Sequence, residues 1–281
     1  MTALLLLATV LLPMTMTVGC AWPLFGRRIG IWLALAPVPA LLTALLLPVG
    51  SAVVMDADRL HLVLAIDRPA VILLGVAALL WSAAGAYAGT YLGTKPNARR
   101  FAACWLLTLA GSLGCFVAFD LVTFYLAFTL ASLPAYGLVA HDGTERAMRA
   151  ARIYLVLTLA GEVALLLGFV IFGLGVAGES LAIAPAVAAL PRIALRGPAM
   201  ALLLTGFGLK AGLAPLHVWL PLAHPAAPMP ASAVLSGAIV KAGVIGLIRF
   251  LPLGTGLAGW DDALATVGLV TAFGAVAVGV T

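Results

Sequence analysis

The chain has 281 residues, 64% of them apolar and only 9% charged, with 15 Lys and Arg against 10 Asp and Glu. A soluble domain carries about 25% charged residues, so an ordinary soluble domain is excluded, and a mean hydropathy of +1.20 fits a chain lying mostly in lipid. The basic residues are scattered without aromatic interleaving, which argues against a nucleic-acid partner.

About 20 apolar residues cross the hydrocarbon core as a helix. Nine such stretches run in order over 3–20, 30–49, 69–92, 101–119, 121–140, 152–176, 199–221, 230–251 and 261–281. Alternation of the strand type is absent, so the expected class is all-α and polytopic rather than a β-barrel. The opening MTALLLLATVLLPMTMTVGC has no basic residue before its apolar run and reads as a first span, not a cleaved signal. The connection Asp56–Asp67 (DADRLHLVLAID) mixes charged and apolar residues and is expected to lie along the membrane surface. Loops after odd-numbered spans hold Arg27, Arg28, Lys95, Arg99, Arg100, Arg146, Arg149 and Arg152; those after even-numbered spans hold Arg59, Arg68, Arg192, Arg196 and Arg249. The excess predicts cytoplasmic odd loops and a periplasmic N-terminus in a cell inner membrane.

Residues 101–140 carry a single charge, Asp120. Two spans joined by a tight turn place it at the interface; a channel mouth is the alternative. In the loop HDGTERAMRAAR, Thr144 can cap a helix starting at Glu145. Arg146, Arg149 and Arg152 then share one helix face, as a topology anchor or as a docking face for a cytoplasmic partner. The sixth span carries Glu162 about ten residues in. It is either a protonated carboxyl bonded to a neighbouring helix or a working carboxylate facing Lys210 or Lys241. Residues 177–197, broken by Pro185 and Pro191, read as a peripheral connection. Cys20, Cys104 and Cys115 lie in or beside spans and form no paired motif, so they read as small buried side chains. Clustered metal ligands and a glycine-rich nucleotide loop are both missing from the sequence, so neither a metal nor a redox cofactor is expected.

The segment from Gly206 to Phe250 holds most of the chemistry. Lys210 and Lys241 sit near the middle of apolar stretches, where a charge costs roughly 2.5–3.5 kcal/mol on insertion scales. Each lies about ten residues from the nearest membrane surface, and the two cannot both reach water by snorkelling. Gly208 and Gly212 flank Lys210, and Pro215 follows, which predicts a broken seventh span with Gly212 and Pro215 at the break. Broken helices near the midplane are one way to build ion sites. Lys210, His217 and His224 recur at intervals of seven, an order that suggests a path from the midplane to one surface. For the histidines, interfacial hydrogen bonds are the alternative. Lys241 has Ser232, Ser236, Gly237 and Gly243 around it; small residues leave room for water or for close helix approach. Two lysines whose protonation depends on one mobile partner can take up and release protons in turn. A static buried ion pair is the alternative.

The stretch LKAGLAPLHVWLPLAHPAAPMPASAVLSGAIVKAG resembles the lysine-bearing seventh and eighth spans of the antiporter-like membrane subunits of respiratory complex I, group 4 hydrogenases and Mrp-type cation/proton antiporters. LPLAHPAAP leans towards hydrogenase component B, and Ile66–Asp67, YLGTKPNARR and Ser132–Leu133 add support. The resemblance implies that Lys210 changes partners during a pumping cycle, that Lys241 passes protons along a hydrated axis, and that His217 and His224 connect them. It implies an N-terminal three-helix segment over 1–100, a first five-helix repeat over 101–251, and the start of a second, inverted repeat over 252–281. The abrupt apolar end reads as a fragment, or as a chain completed by another subunit. Two departures stand out. Relatives often carry a Glu where this chain has Thr129, and Glu162 is the candidate replacement; where many have acidic residues after the span-seven histidine, this chain has Leu222 and Ala226. The function implied is a proton-translocating, cofactor-free subunit of a redox-driven complex, either NADH:quinone oxidoreductase-like or a membrane-bound hydrogenase, with other membrane subunits as partners. A cation/proton antiporter subunit, a membrane partner in inorganic-carbon uptake, and a scaffold with an inactive channel are the alternatives.

Overall fold

The computed structural model describes residues 1–21, 28–57, 60–93, 97–175, 181–251 and 260–280. Arg27, Arg59, Lys95 and residues 252–259 of the expected second repeat lie outside the described residues. In lipid a chain must satisfy its backbone internally, so each apolar run closes into helix. Among the described residues eight helices are long and apolar enough to cross a membrane, and a further helix runs over Trp260–Val280.

The second and fifth spans are each broken once, giving Ile29–Leu35 with Val38–Leu46 and Leu121–Ser132 with Ala135–Val139. Pro37 and Pro134 stand at these joints, where a missing N–H interrupts the ladder. The sixth span is longer than its apolar core. It starts at Glu145 and runs 31 residues to Gly175, about 46 Å at 1.5 Å per residue against a hydrocarbon core of about 30 Å. Thr144 caps it as the sequence predicts, with the Ala147 N–H donating to Thr144 Oγ1 at 3.1 Å.

The connection between the second and third spans differs from expectation. It forms an antiparallel hairpin of β1 (Ala52–Ala57) and β2 (Leu60–Ala65), in register Ala52 to Ala65 and Val54 to Val63. Both strands are continuous apolar runs where they meet the helices, so period-two alternation was absent as a clue. The hairpin docks on the turn between the fourth and fifth spans, with Phe119 N–H donating to Val63 O at 2.9 Å. Asp120 sits in that turn, 1% exposed. Its carboxylate accepts the Thr123 N–H at 2.8 Å, capping the fifth span, and the Val63 N–H at 2.7 Å. Both oxygens therefore serve backbone joints. The 177–197 connection, where described, carries a short helix Ile183–Ala189 whose backbone bonds the same turn through Leu181 O and Ile183 N–H.

The lysine-bearing spans pack closely: a Cβ on Gly243 of the eighth would lie 2.6 Å from Ala211 N and 2.8 Å from Phe207 O of the seventh. Phe124, Phe128, Phe169, Phe207 and Phe250 form an aromatic block between the fifth, sixth, seventh and eighth spans, with ring centroids such as Phe169–Phe250 at 4.8 Å. These buried apolar rings lie between Phe250, next to Arg249, and Lys210, whose Nζ is 5.9 Å from the Phe128 ring centroid.

Candidate proton-relay site

The seventh span ends its first half at Ala211. Gly212 takes the left-handed conformation, φ +79°, and its N–H and that of Leu213 both bond Gly208 O, at 2.8 and 2.9 Å. A side chain at Gly212 would also strike Leu220, so glycine is required twice over at this stop. After Pro215 the chain continues as a 3₁₀ turn, Leu216–Val218, and a short helix, Trp219–Ala223. The Trp219 indole reaches back to donate to Leu209 O at 2.6 Å, satisfying a carbonyl that the break leaves open. The predicted break and its residues are where the sequence places them.

Lys210 occupies the last turn of the first half-helix, 5% exposed, where helix-end carbonyls favour a cation. Its Nζ donates to Tyr154 Oη at 3.0 Å, and Tyr154 Oη donates to Ser132 O at 2.9 Å. The ammonium also lies 5.3 Å from the Tyr154 ring and 5.9 Å from that of Phe128. Beside it is a cavity of about 10 Å³ lined by Ser132, Thr158, Gly161, Gly206 and Lys210 among others, room for about one water. Glu162, next to Gly161, is 4% exposed. Its Oε2 accepts from Thr129 Oγ1 at 2.7 Å, while Oε1 has no partner among the described residues. No ion pair joins Glu162 to Lys210 among the described residues; a phenol, not a carboxylate, holds the lysine. Glu162 on the sixth span thus stands one hydrogen bond away from Thr129 on the fifth.

The two histidines lie beyond the break. Pro215 interrupts the helix, so they share no continuous face with Lys210, and no hydrogen bond links them to it among the described residues. His217 Nδ1 is buried without a partner among the described residues. His224 Nδ1 lies 3.2 Å from Ser232 Oγ of the eighth span, and burial holds its imidazole below the ordinary histidine range.

The eighth span widens into a π turn at Leu235–Ile239, a distortion frequent at functional sites. The turn frees Ser236 O, which accepts from Lys241 Nζ at 2.9 Å. Ser236 Oγ donates to Ser232 O at 3.2 Å. Ser232, Ser236 and Lys241 thus line one stretch of the eighth span, with His224 reaching Ser232 from the connection before it, separate from the Lys210–Tyr154–Ser132 group. Lys241 is partly exposed and not sealed by the described residues. Among the described residues no cluster of three or more His, Cys, Asp or Glu could hold a metal ion.

Two residues were missed in the sequence. Tyr154 is one; it precedes Thr158 and Glu162 at intervals of four, a polar stripe that helical spacing could have revealed. The other is Arg249, counted only as a loop charge. It is 6% exposed and donates to Ala118 O at 2.6 Å, Phe116 O at 2.7 Å, Cys115 O at 3.2 Å and Asp67 Oδ1 at 3.3 Å. Asp67 in turn caps the third span through Ala70 N–H at 2.7 Å.

Residues 118–281 match the family described as NADH:quinone oxidoreductase/Mrp antiporter, transmembrane. The chain belongs to this family. Among relatives of this antiporter-like family, it is 37% identical over 144 residues to an NAD(P)H-quinone oxidoreductase chain 4 of Synechococcus, covering 51% of this chain and 27% of that one. It is 34% identical over 153 residues to hydrogenase-4 component B of Escherichia coli, covering 53% and 22%. The matched segment therefore spans about a quarter of those curated relatives. A solved structure of the membrane-bound sulfane sulfur reductase, an archaeal respiratory membrane complex, contains a chain with the same fold at a TM-score of 0.80 and 24% identity, over 96% of this chain and 57% of that one. The protein is a multi-pass, antiporter-like membrane subunit.

Proposed function

We propose that the chain moves protons as a cofactor-free subunit of a redox-driven inner-membrane complex, with its N-terminus on the periplasmic side. One observation carries this reading: a lysine ammonium at a helix break that donates to a phenol, beside a water-sized cavity and a buried carboxyl whose second oxygen has no partner among the described residues. The ammonium's hydrogen bond runs to a neutral phenol, and the cavity beside it leaves room for a water that could take a proton. Lys210 would release a proton into the cavity and recover one through Glu162 or the post-break histidines. Lys241 would pass the proton onward from the eighth span. The relatives' names include quinone oxidoreductase and hydrogenase subunits, which supports the redox-driven reading. The family description also includes Mrp antiporters, so a cation/proton antiporter subunit is the second reading.

Lys210→Arg tests the core of this proposal. Arginine keeps the charge but cannot deprotonate in a protein. Proton uptake by inverted vesicles carrying the assembled complex should fall to background while the subunit stays in the complex. Normal uptake would exclude a titrating role for Lys210. A sodium-driven pH change surviving without the redox substrate would favour the antiporter reading.

A further inference from the structure

Arg146, Arg149 and Arg152 are all exposed and form no ion pair among the described residues. They occupy the first two turns of the sixth span, the part of that helix exceeding the hydrocarbon core. Arg146 and Arg149 line a groove of about 610 Å³ whose facing wall is Pro221, Leu222 and Pro225 from the chain beyond the helix break. Glu145 lies at its rim, so the groove carries two positive groups against one negative. A second groove of about 440 Å³ begins at Arg152 and shares Ile153 with the first. Its remaining lining includes Val156, Leu157, Leu216 and Val218, and is apolar throughout. The two adjoin at Ile153 along the sixth span, cationic near its start and apolar further along.

We infer that this pair of grooves binds an anionic phospholipid, its headgroup phosphate on Arg146 and Arg149 and one acyl chain over Ile153, Val156 and Leu216. A guanidinium fork matches phosphate geometry in a way a point charge does not. The order of charge, then apolar wall, follows the order of headgroup and chain in a phospholipid at the same depth. A soluble anion would find only the upper half complementary. An acidic protein segment would leave the apolar lower groove unfilled. Leu157 and Leu209 line both the lower groove and the Lys210 cavity. A bound acyl chain therefore thickens the wall between that cavity and the bilayer.

The experiment is native mass spectrometry of the chain in its assembled complex, released from detergent in the presence of phosphatidylglycerol or phosphatidylcholine. The wild type should retain phosphatidylglycerol in preference to phosphatidylcholine. The double variant Arg146→Gln/Arg149→Gln should bind phosphatidylglycerol about thirtyfold more weakly, two basic residues at about 1 kcal/mol each. Arg192→Gln, at the other end of the sixth span, should change nothing. Equal retention by the double variant would overturn the inference, as would equal retention of the two lipids by the wild type, a comparison that holds even if the double variant fails to fold. Displacement of the lipid by excess inorganic phosphate would make this a free-anion site and overturn it. A photoreactive group at position 222 that cross-links to another subunit rather than to lipid would make it a protein interface and overturn it equally.

Discussion

At the scale of single residues, the decisive interaction is a hydrogen bond, not a salt bridge. Tyr154 links Lys210 to Ser132 O. Tyr154→Phe keeps the ring that faces the ammonium but removes its acceptor, and a bond to a charged group contributes about 1.5–3 kcal/mol. The variant should lose about 2 kcal/mol of stability, and proton uptake by vesicles should fall about tenfold if the same bond sets the release step. Unchanged uptake would remove Tyr154 from the pathway. His224 gives a pH signature of its own. Burial holds its imidazole below the ordinary value, so the native state favours the neutral ring more than the unfolded chain does. The native state then binds fewer protons, and stability is greatest above the unfolded value of about 6.5. It declines as pH falls below that value. The thermal midpoint in detergent should drop on acidification through this range, and His224→Gln should flatten that part of the profile. An unaltered profile would show that another group sets it.

At the scale of elements, Arg249 is the clearest case of a residue whose role the sequence hides. It closes the C-terminus of the fourth span, whose last carbonyls have no helical partner, and ties it to the cap of the third. Asp67 is one-third exposed, so the ion pair itself contributes about 1 kcal/mol or less; the open carbonyls are the larger effect. Arg249→Gln cannot reach them all, and should cost about 3 kcal/mol, read as a lower thermal midpoint and loss of the subunit from the complex. Retained stability would show that water serves those carbonyls as well. Composition and length placed the long helices found among the described residues, because lipid enforces helix wherever the run is apolar. The break at Gly212 and Pro215 was legible because the two residues state it locally. The hairpin at 52–65 was not, since its strands are set by docking on Phe119 and Asp120, more than fifty residues away in sequence. Glu162 was legible as a buried carboxyl, but its partner Thr129 was not, because nothing in spacing reports which face of one span meets another.

At the scale of the whole molecule, the two lysines belong to separate polar groups. Lys210 lies between the sixth and seventh spans, whereas Lys241 follows a π turn, is partly exposed and donates to Ser236 O. An ammonium left facing lipid at mid-span costs about 2.5–3.5 kcal/mol, so the proposed relay requires a polar neighbour over Lys241. In that proposal its partly exposed position makes it the exit of the path through these spans. Lys241→Ala removes the carrier without disturbing the Lys210 group, since the two share no bond. Coupled proton movement should be abolished in vesicles, while the complex assembles in normal amount and Lys210-dependent local exchange persists. Because the alanine also removes an unfavourable exposed charge, the isolated chain should be no less stable than the wild type. Proton translocation at the wild-type rate would show that the path leaves the chain elsewhere. A loss of assembly together with activity would instead make Lys241 an interface residue whose charge holds the neighbouring subunit.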